Sequence, residues 1–112
     1  MSPLSELERE QILFSHAFSH GNYASAYTFE PDACDAEWLE DGLERAAGVC
    51  INRELGSMSR TPRLLGIAKQ GLLLGLFASF EDDELPLDWH EAVVEARCEA
   101  RREPYATSVA ID

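Results

Sequence analysis

A chain of 112 residues with 21 acidic and nine basic side chains carries a formal net charge of −12. With 46% hydrophobic residues it is too apolar for a disordered chain, and its size is enough for one acidic domain over 1–112 that buries a core without metals or crosslinks. The charge weighs against direct nucleic-acid binding and against an anionic membrane surface, because both are bound through Lys and Arg.

Ser5-Glu6-Leu7-Glu8 fits a capping box, with Ser5 as N-cap and Glu8 at N3. Behind it Leu7, Phe14 and Phe18 recur on one helical face, which Ile12, Leu13 and Ala17 widen. The first helix is expected over about 6–28, running through Gly21 rather than breaking there. Pro31-Asp32 marks a turn, and Asp32 or Asp35 caps a second helix over about 33–55 with Trp38, Leu43, Ala46 and Cys50 as its apolar stripe. Leu55-Gly56 is its C-terminal stop. Thr61-Pro62 reads as N-cap and first residue of a third helix over about 62–80, apolar almost all round and therefore central.

Glu81-Asp82-Asp83-Glu84 ends that helix with charge. A fourth helix follows over about 87–103, with Trp89, Val93, Ala96 and Ala100 inside and Glu91, Glu95 and Glu99 outside. The tail after Pro104 is left unassigned. No useful length alternates with a period of two, so the fold class is all-α, a compact bundle of about four helices with a short C-terminal tail. Trp38, Trp89 and the segment Leu64 to Phe80 are expected in one core.

Two series of small residues sit at i, i+4, i+8: Ala17, Gly21, Ser25 and Gly71, Gly75, Ser79. A glycine inside a helix costs up to about 1 kcal/mol against alanine, so each calls for a close contact. Tight packing inside the monomer is the favoured reading, and a homodimer through Gly71, Gly75 and Ser79 is its alternative.

The chain opens without a basic stretch leading into an apolar run, so no secretory signal is visible. Leu64 to Phe80 is interrupted by Lys69 and Gln70 and is short for a membrane span of about 20 residues. Cys34, Cys50 and Cys98 form no paired spacing, which fits buried or inert free thiols in a reducing cytoplasm rather than a disulfide or zinc framework.

His16 and His20 lie one turn apart, a spacing that can chelate a metal from one face, but no third ligand is specified, so no metal or other cofactor is expected. His90-Glu91-Ala92-Val93-Val94 fails as a metalloprotease motif because Val94 stands in the place of the second histidine. Cys34 lies near a helix start, yet Asp32, Asp35 and Glu37 oppose a thiolate there. No nucleophile elbow, phosphate loop or dinucleotide fingerprint occurs, and no enzyme is expected. Residues 45 to 70 hold Arg45, Arg53, Arg60, Arg63 and Lys69 against Glu54 alone, which suggests a helix-turn-helix. The helix after Pro62 is too apolar to enter a groove.

The strongest pattern is charge segregation. Residues 30–44 and 81–95 each carry seven acids and no Lys or Arg. Glu37, Glu40, Asp41 and Glu44 belong to the first block, and Glu81, Asp82, Asp83, Glu84, Asp88, Glu91 and Glu95 to the second. Acids three or four apart share a helix face and repel by a few tenths of a kcal/mol per pair. Solubility accounts for such rows, and so does a basic partner. The functional expectation is a small acidic inhibitor that occludes or mimics nucleic acid on a basic nucleic-acid-handling protein. Inhibitors of CRISPR or restriction complexes (phage counter-defence) and nuclease immunity proteins form this class. The alternative is an acidic adaptor or chaperone, dimeric or not, holding a basic or amphipathic protein. In either case the partner is a protein surface and not nucleic acid or a membrane.

Overall fold

The computed structural model describes residues 4–27, 36–56 and 60–109, the side chains of 36–39 and 108 excepted. Helix α1 spans Glu6–Tyr27 and starts at the expected capping box. The Glu8 N–H donates to Ser5 Oγ at 3.1 Å, and the Ser5 N–H donates to Glu8 Oε1 at 3.3 Å. Helix α2 spans Ala36–Leu55 and stops at Gly56, whose φ of 85° is open to glycine at little cost. The cap expected from Asp32 or Asp35 lies outside the described residues, as do Cys34 and the side chain of Trp38.

Helix α3 spans Pro62–Leu76. Its first turn is closed by Thr61, whose Oγ1 accepts from the Leu64 N–H at 3.2 Å. Thr61→Ala removes that acceptor and should lower stability by about 1 kcal/mol, read as a lower urea midpoint at unchanged slope. The helix ends at Leu76 and not near Phe80 as expected. Phe77 caps it at φ −104° and ψ 10°, and the Phe80 N–H turns back onto the Phe77 carbonyl at 3.1 Å. The early stop lets the chain reverse through a short 3-10 helix, Asp82–Glu84, into α4, Leu87–Arg102. Phe77 then packs against Phe80 at 5.5 Å and Trp89 at 6.3 Å between ring centroids.

The bundle is all-α, with no strand among the described residues. Helix α3 is its centre: α1, α2 and α4 all pack on it, α1 most extensively. The reason lies in the small residues. A β-carbon on Gly71 would stand 2.8 Å from the Phe14 carbonyl oxygen and 3.0 Å from Ala17 Cβ. One on Gly75 would collide with the Phe18 carbonyl oxygen, and one on Gly21 with the Leu72 carbonyl oxygen. The two series thus face each other inside the chain. Contacts advance together along both helices, so α1 and α3 run in the same direction. The surface considered for a homodimer is thereby removed at Gly71 and Gly75, which α1 of the same chain covers; Ser79 lies exposed beyond the end of α3.

Leu13, Phe14, Ala17 and Gly21 form the buried face of α1. Leu7 and Ile12, expected on that face, are exposed: Ile12 points well away from the sector centred between Leu13 and Phe14, and Leu7 lies in the first turn of α1, ahead of Glu10, which pairs with Arg63 at the start of α3. On α2 the buried residues are Leu43, Ala47, Cys50 and Ile51, with Ala46 half-buried. On α4 they are Trp89, Val93, Ala96 and Ala100, as the spacing required.

The tail forms a second 3-10 helix, Pro104–Ser108, which packs on α1 and α4. Tyr105 is buried, its ring 5.3 Å from that of Phe14. Its hydroxyl donates to Gln70 Oε1 at 2.5 Å, and Gln70 Nε2 donates to Glu99 Oε2 at 3.4 Å. Arg63 covers the ring at 5.9 Å and pairs with Glu10 and Glu103. Burial, with Glu103 adding to it, pushes the Tyr105 phenol up to about 12 from 10. The folded chain then keeps a proton that the unfolded chain releases. This contribution is whole below pH 10 and is lost as pH rises towards about 12. Tyr105→Phe should flatten the alkaline decline of the urea midpoint and lower stability at neutral pH by about 0.5–1.5 kcal/mol.

Candidate functional site

The acidic rows stand on helices whose opposite faces are anchored on α3. On α4 the buried positions 89, 93, 96 and 100 fix the rotation of the helix, so Asp88, Glu91, Glu95 and Glu99 face outward and all are exposed. Glu99 accepts from Gln70; Asp88, Glu91 and Glu95 have no ion pair among the described residues. On α2, Glu40, Asp41 and Glu44 are exposed, and the side chain of Glu37 lies outside the described set.

The acidic turn before α4 divides its charges between structure and surface. The Glu81 N–H donates to Glu84 Oε1 at 3.1 Å, so Glu84 closes the short 3-10 helix. Asp82 accepts from Arg97 Nη1 at 2.6 Å, which ties the turn to the middle of α4. All four acids of the turn are exposed. The expected partner-binding acids are therefore not equivalent: two of the four in this turn hold the turn itself.

The basic middle of the chain is partly taken up by internal contacts, while Arg45 and Arg53 are exposed. Arg63 is held by Glu10 and Glu103, the Arg60 guanidinium lies over Gly48 of α2, and Lys69 is half-buried. Against the helix-turn-helix reading, α3 buries Ile67, Ala68, Leu72, Leu74 and Leu76, and on its uncovered side, which carries Gly66, Arg63 is held by Glu10 and Glu103 of the same chain.

His16 Nδ1 meets Glu54 Oε1 at 3.1 Å and joins α1 to α2 beside a shallow depression lined by Gln11, Ile12, Ser15 and Ser19. No cluster of three or more His, Cys, Asp or Glu side chains fit to hold a metal occurs among the described residues. Cys50 is buried, and that burial pushes its thiol up, away from reactivity; Glu54 adds to the shift. Cys98 is exposed on α4 rather than buried like Cys50. No helix among the described residues is long and apolar enough to cross a membrane.

One feature escaped the sequence reading. Leu87 and Val94 are exposed among the acids of α4, Leu87 at 94%. The signal was present in the spacing: 87 and 94 lie two turns apart and off the stripe 89, 93, 96, 100. Comparison of the chain with protein-family models, with curated proteins and with solved structures finds no match.

Proposed function

We propose that this protein acts by binding, as an acidic inhibitor that occupies the basic nucleic-acid channel of a partner protein, in the manner of inhibitors of CRISPR or restriction complexes or of nuclease immunity proteins. The observation that supports this reading is the row Asp88, Glu91, Glu95: exposed, without ion pairs among the described residues, and carried by a helix anchored through Trp89 and Val93. A helix rises about 1.5 Å per residue, so the row presents a charge roughly every 5 Å. A nucleic-acid strand presents one about every 3.4 Å, so the row offers a comparable line of negative charge. Pre-positioned charge steers association and selects partners. A second reading, an acidic adaptor for a basic or amphipathic protein, draws support from the exposed Leu87 in the same helix.

Affinity capture from the host's lysate tests the class of partner. A DNA- or RNA-processing complex supports inhibition; a single client without nucleic-acid chemistry supports the adaptor. With the partner in hand, affinity should fall as salt rises, since surface charges are screened beyond about 8–10 Å at physiological ionic strength. The pair Glu91→Lys with Glu95→Lys should weaken binding at least about tenfold, or ~1.4 kcal/mol. The pair Glu37→Lys with Asp41→Lys should weaken it less. Such surface changes usually alter stability by no more than about 0.5 kcal/mol each, so the fold persists. Unchanged affinity in both pairs across a salt series would make the rows solvated faces and nothing more.

A further inference from the structure

We propose that the outer face of α4 is a docking surface for a basic amphipathic helix of the partner protein. The proposal rests on the reading that the α4 acids meet a basic partner, and it adds the shape of what they meet. Leu87, Glu91 and Val94 follow one another at steps of four and three, which places them in one line along the helix. All three are exposed. Leu87 has no part in the core: the neighbouring side chains Leu85 and Trp89 carry the burial at this corner, at 6% and 8% exposure, while Leu87 between them stands at 94%. Scattered exposed apolar residues are common on protein surfaces, but here two lie on the same line, one carboxylate between them.

At about 100° per residue, Asp88 and Glu95 flank one side of that line, and His90 and Arg101 the other. Charge complementarity then defines the occupant. A purely polar, phosphate-binding groove would match Asp88, Glu91 and Glu95 and leave Leu87 and Val94 in water. A second copy of the chain would set Glu91 of each protomer near the interface centre and bring together two molecules of net charge −12. A helix with apolar residues two turns apart and Lys or Arg on the flank facing Asp88 and Glu95 satisfies both components, and the two unlike flanks of α4 set its orientation. Amphipathic helices are recognised in this way, through anchors at i, i+3 or i+4 and i+7.

The test uses the full chain and two synthetic peptides of about 18 residues, or five helical turns, with the same Lys and Leu content. In one the Leu residues form a single helical face; in the other they are spread evenly around the helix. Fluorescence anisotropy reads affinity, and amide shifts of the labelled protein read location. The expected result is at least tenfold tighter binding of the amphipathic peptide, with shifts centred on residues 87–95. Leu87→Ser combined with Val94→Ser should bring the two peptides to equal affinity. Both positions are exposed, and an unchanged thermal melt would show that the variant folds. Glu91→Lys with Glu95→Lys should weaken both peptides.

Equal, salt-sensitive binding of the two peptides to the wild type would overturn the docking inference and leave the acidic reading standing. Absence of binding by either peptide at low salt would overturn both. Shifts centred away from α4 would also overturn the inference. Self-association of the free protein that Leu87→Ser with Val94→Ser abolishes would assign the face to a second copy and overturn it as well.

Discussion

Phe77→Ala should lower the free energy of unfolding by about 3–5 kcal/mol. Phe77 is fully buried at the end of α3, where the chain turns back. Its ring packs against those of Phe80 and Trp89, which belong to the return segment and to α4. Truncation therefore removes the transfer energy of a whole aromatic side chain and leaves a cavity where α4 meets α3. The neighbours cannot readily close it, because Trp89 is held on a helix whose other anchors, Val93 and Ala96, sit further along the same interface. A small domain has only about 5–15 kcal/mol in all, so the variant should be close to unfolding at room temperature. Urea denaturation followed by circular dichroism would measure it. A loss under about 1 kcal/mol would mean that this corner is loosely packed. Leu74→Ala, one turn earlier and also buried, should cost about 2–5 kcal/mol for the same reason.

The second large effect comes from adding an atom. Gly75→Ala places a methyl group against the Phe18 carbonyl oxygen and 3.0 Å from the Asn22 amide nitrogen. Both belong to the backbone of α1, so no side-chain rotation relieves the clash; the helix itself has to move. Overpacking of this kind costs about 1–3 kcal/mol, sometimes more, and an obstacle made of backbone puts the expectation at the upper end. Gly66→Ala is the matched comparison. Gly66 lies in the same helix, is exposed, and has nothing within 4 Å of its added β-carbon. That substitution should stabilise by about 0.5–1 kcal/mol, because alanine restricts the unfolded chain and favours helix. Opposite signs for the two changes, read as thermal or urea midpoints, would establish that α1 and α3 touch at backbone distance. Equal effects would mean that the helices cross at more than these distances.

These two expectations differ in how far they were legible beforehand. The glycine series at i, i+4 pointed to a close approach, but spacing is silent on what approaches. The answer came from two segments about fifty residues apart, Ala17-to-Gly21 and Gly71-to-Gly75, which interleave within one chain. Phe77 read as one more apolar residue of a long helix; its importance arises because the helix stops there.

The candidate site shows the same division. That α4 turns Glu91, Glu95 and Glu99 outward followed from the spacing of Trp89, Val93, Ala96 and Ala100, since a helix with one buried stripe has its remaining faces assigned. The separate duties of the acidic turn did not follow. Glu84 closes its own turn, and Asp82 is held by Arg97 fifteen residues away. The outward position of Leu87 was open to the same wheel but lay hidden behind the larger signal of the charges.

What the sequence determined by itself is local. The Ser5–Glu8 capping box, the Thr61-Pro62 start, the Gly56 stop and the inner face of α4 each depend on residues no more than a few turns apart. Backbone hydrogen bonding and helical periodicity act over that range, so these features leave a trace in the order of residues. The tertiary structure alone decided where α3 ends, which sector of α1 is covered, that Tyr105 of the tail closes onto Phe14 and Gln70, and which carboxylates remain free for a partner. Most of these rest on a contact between segments far apart in sequence. Its energy depends on distances that exist only after the helices have packed, and no periodicity in the chain encodes them.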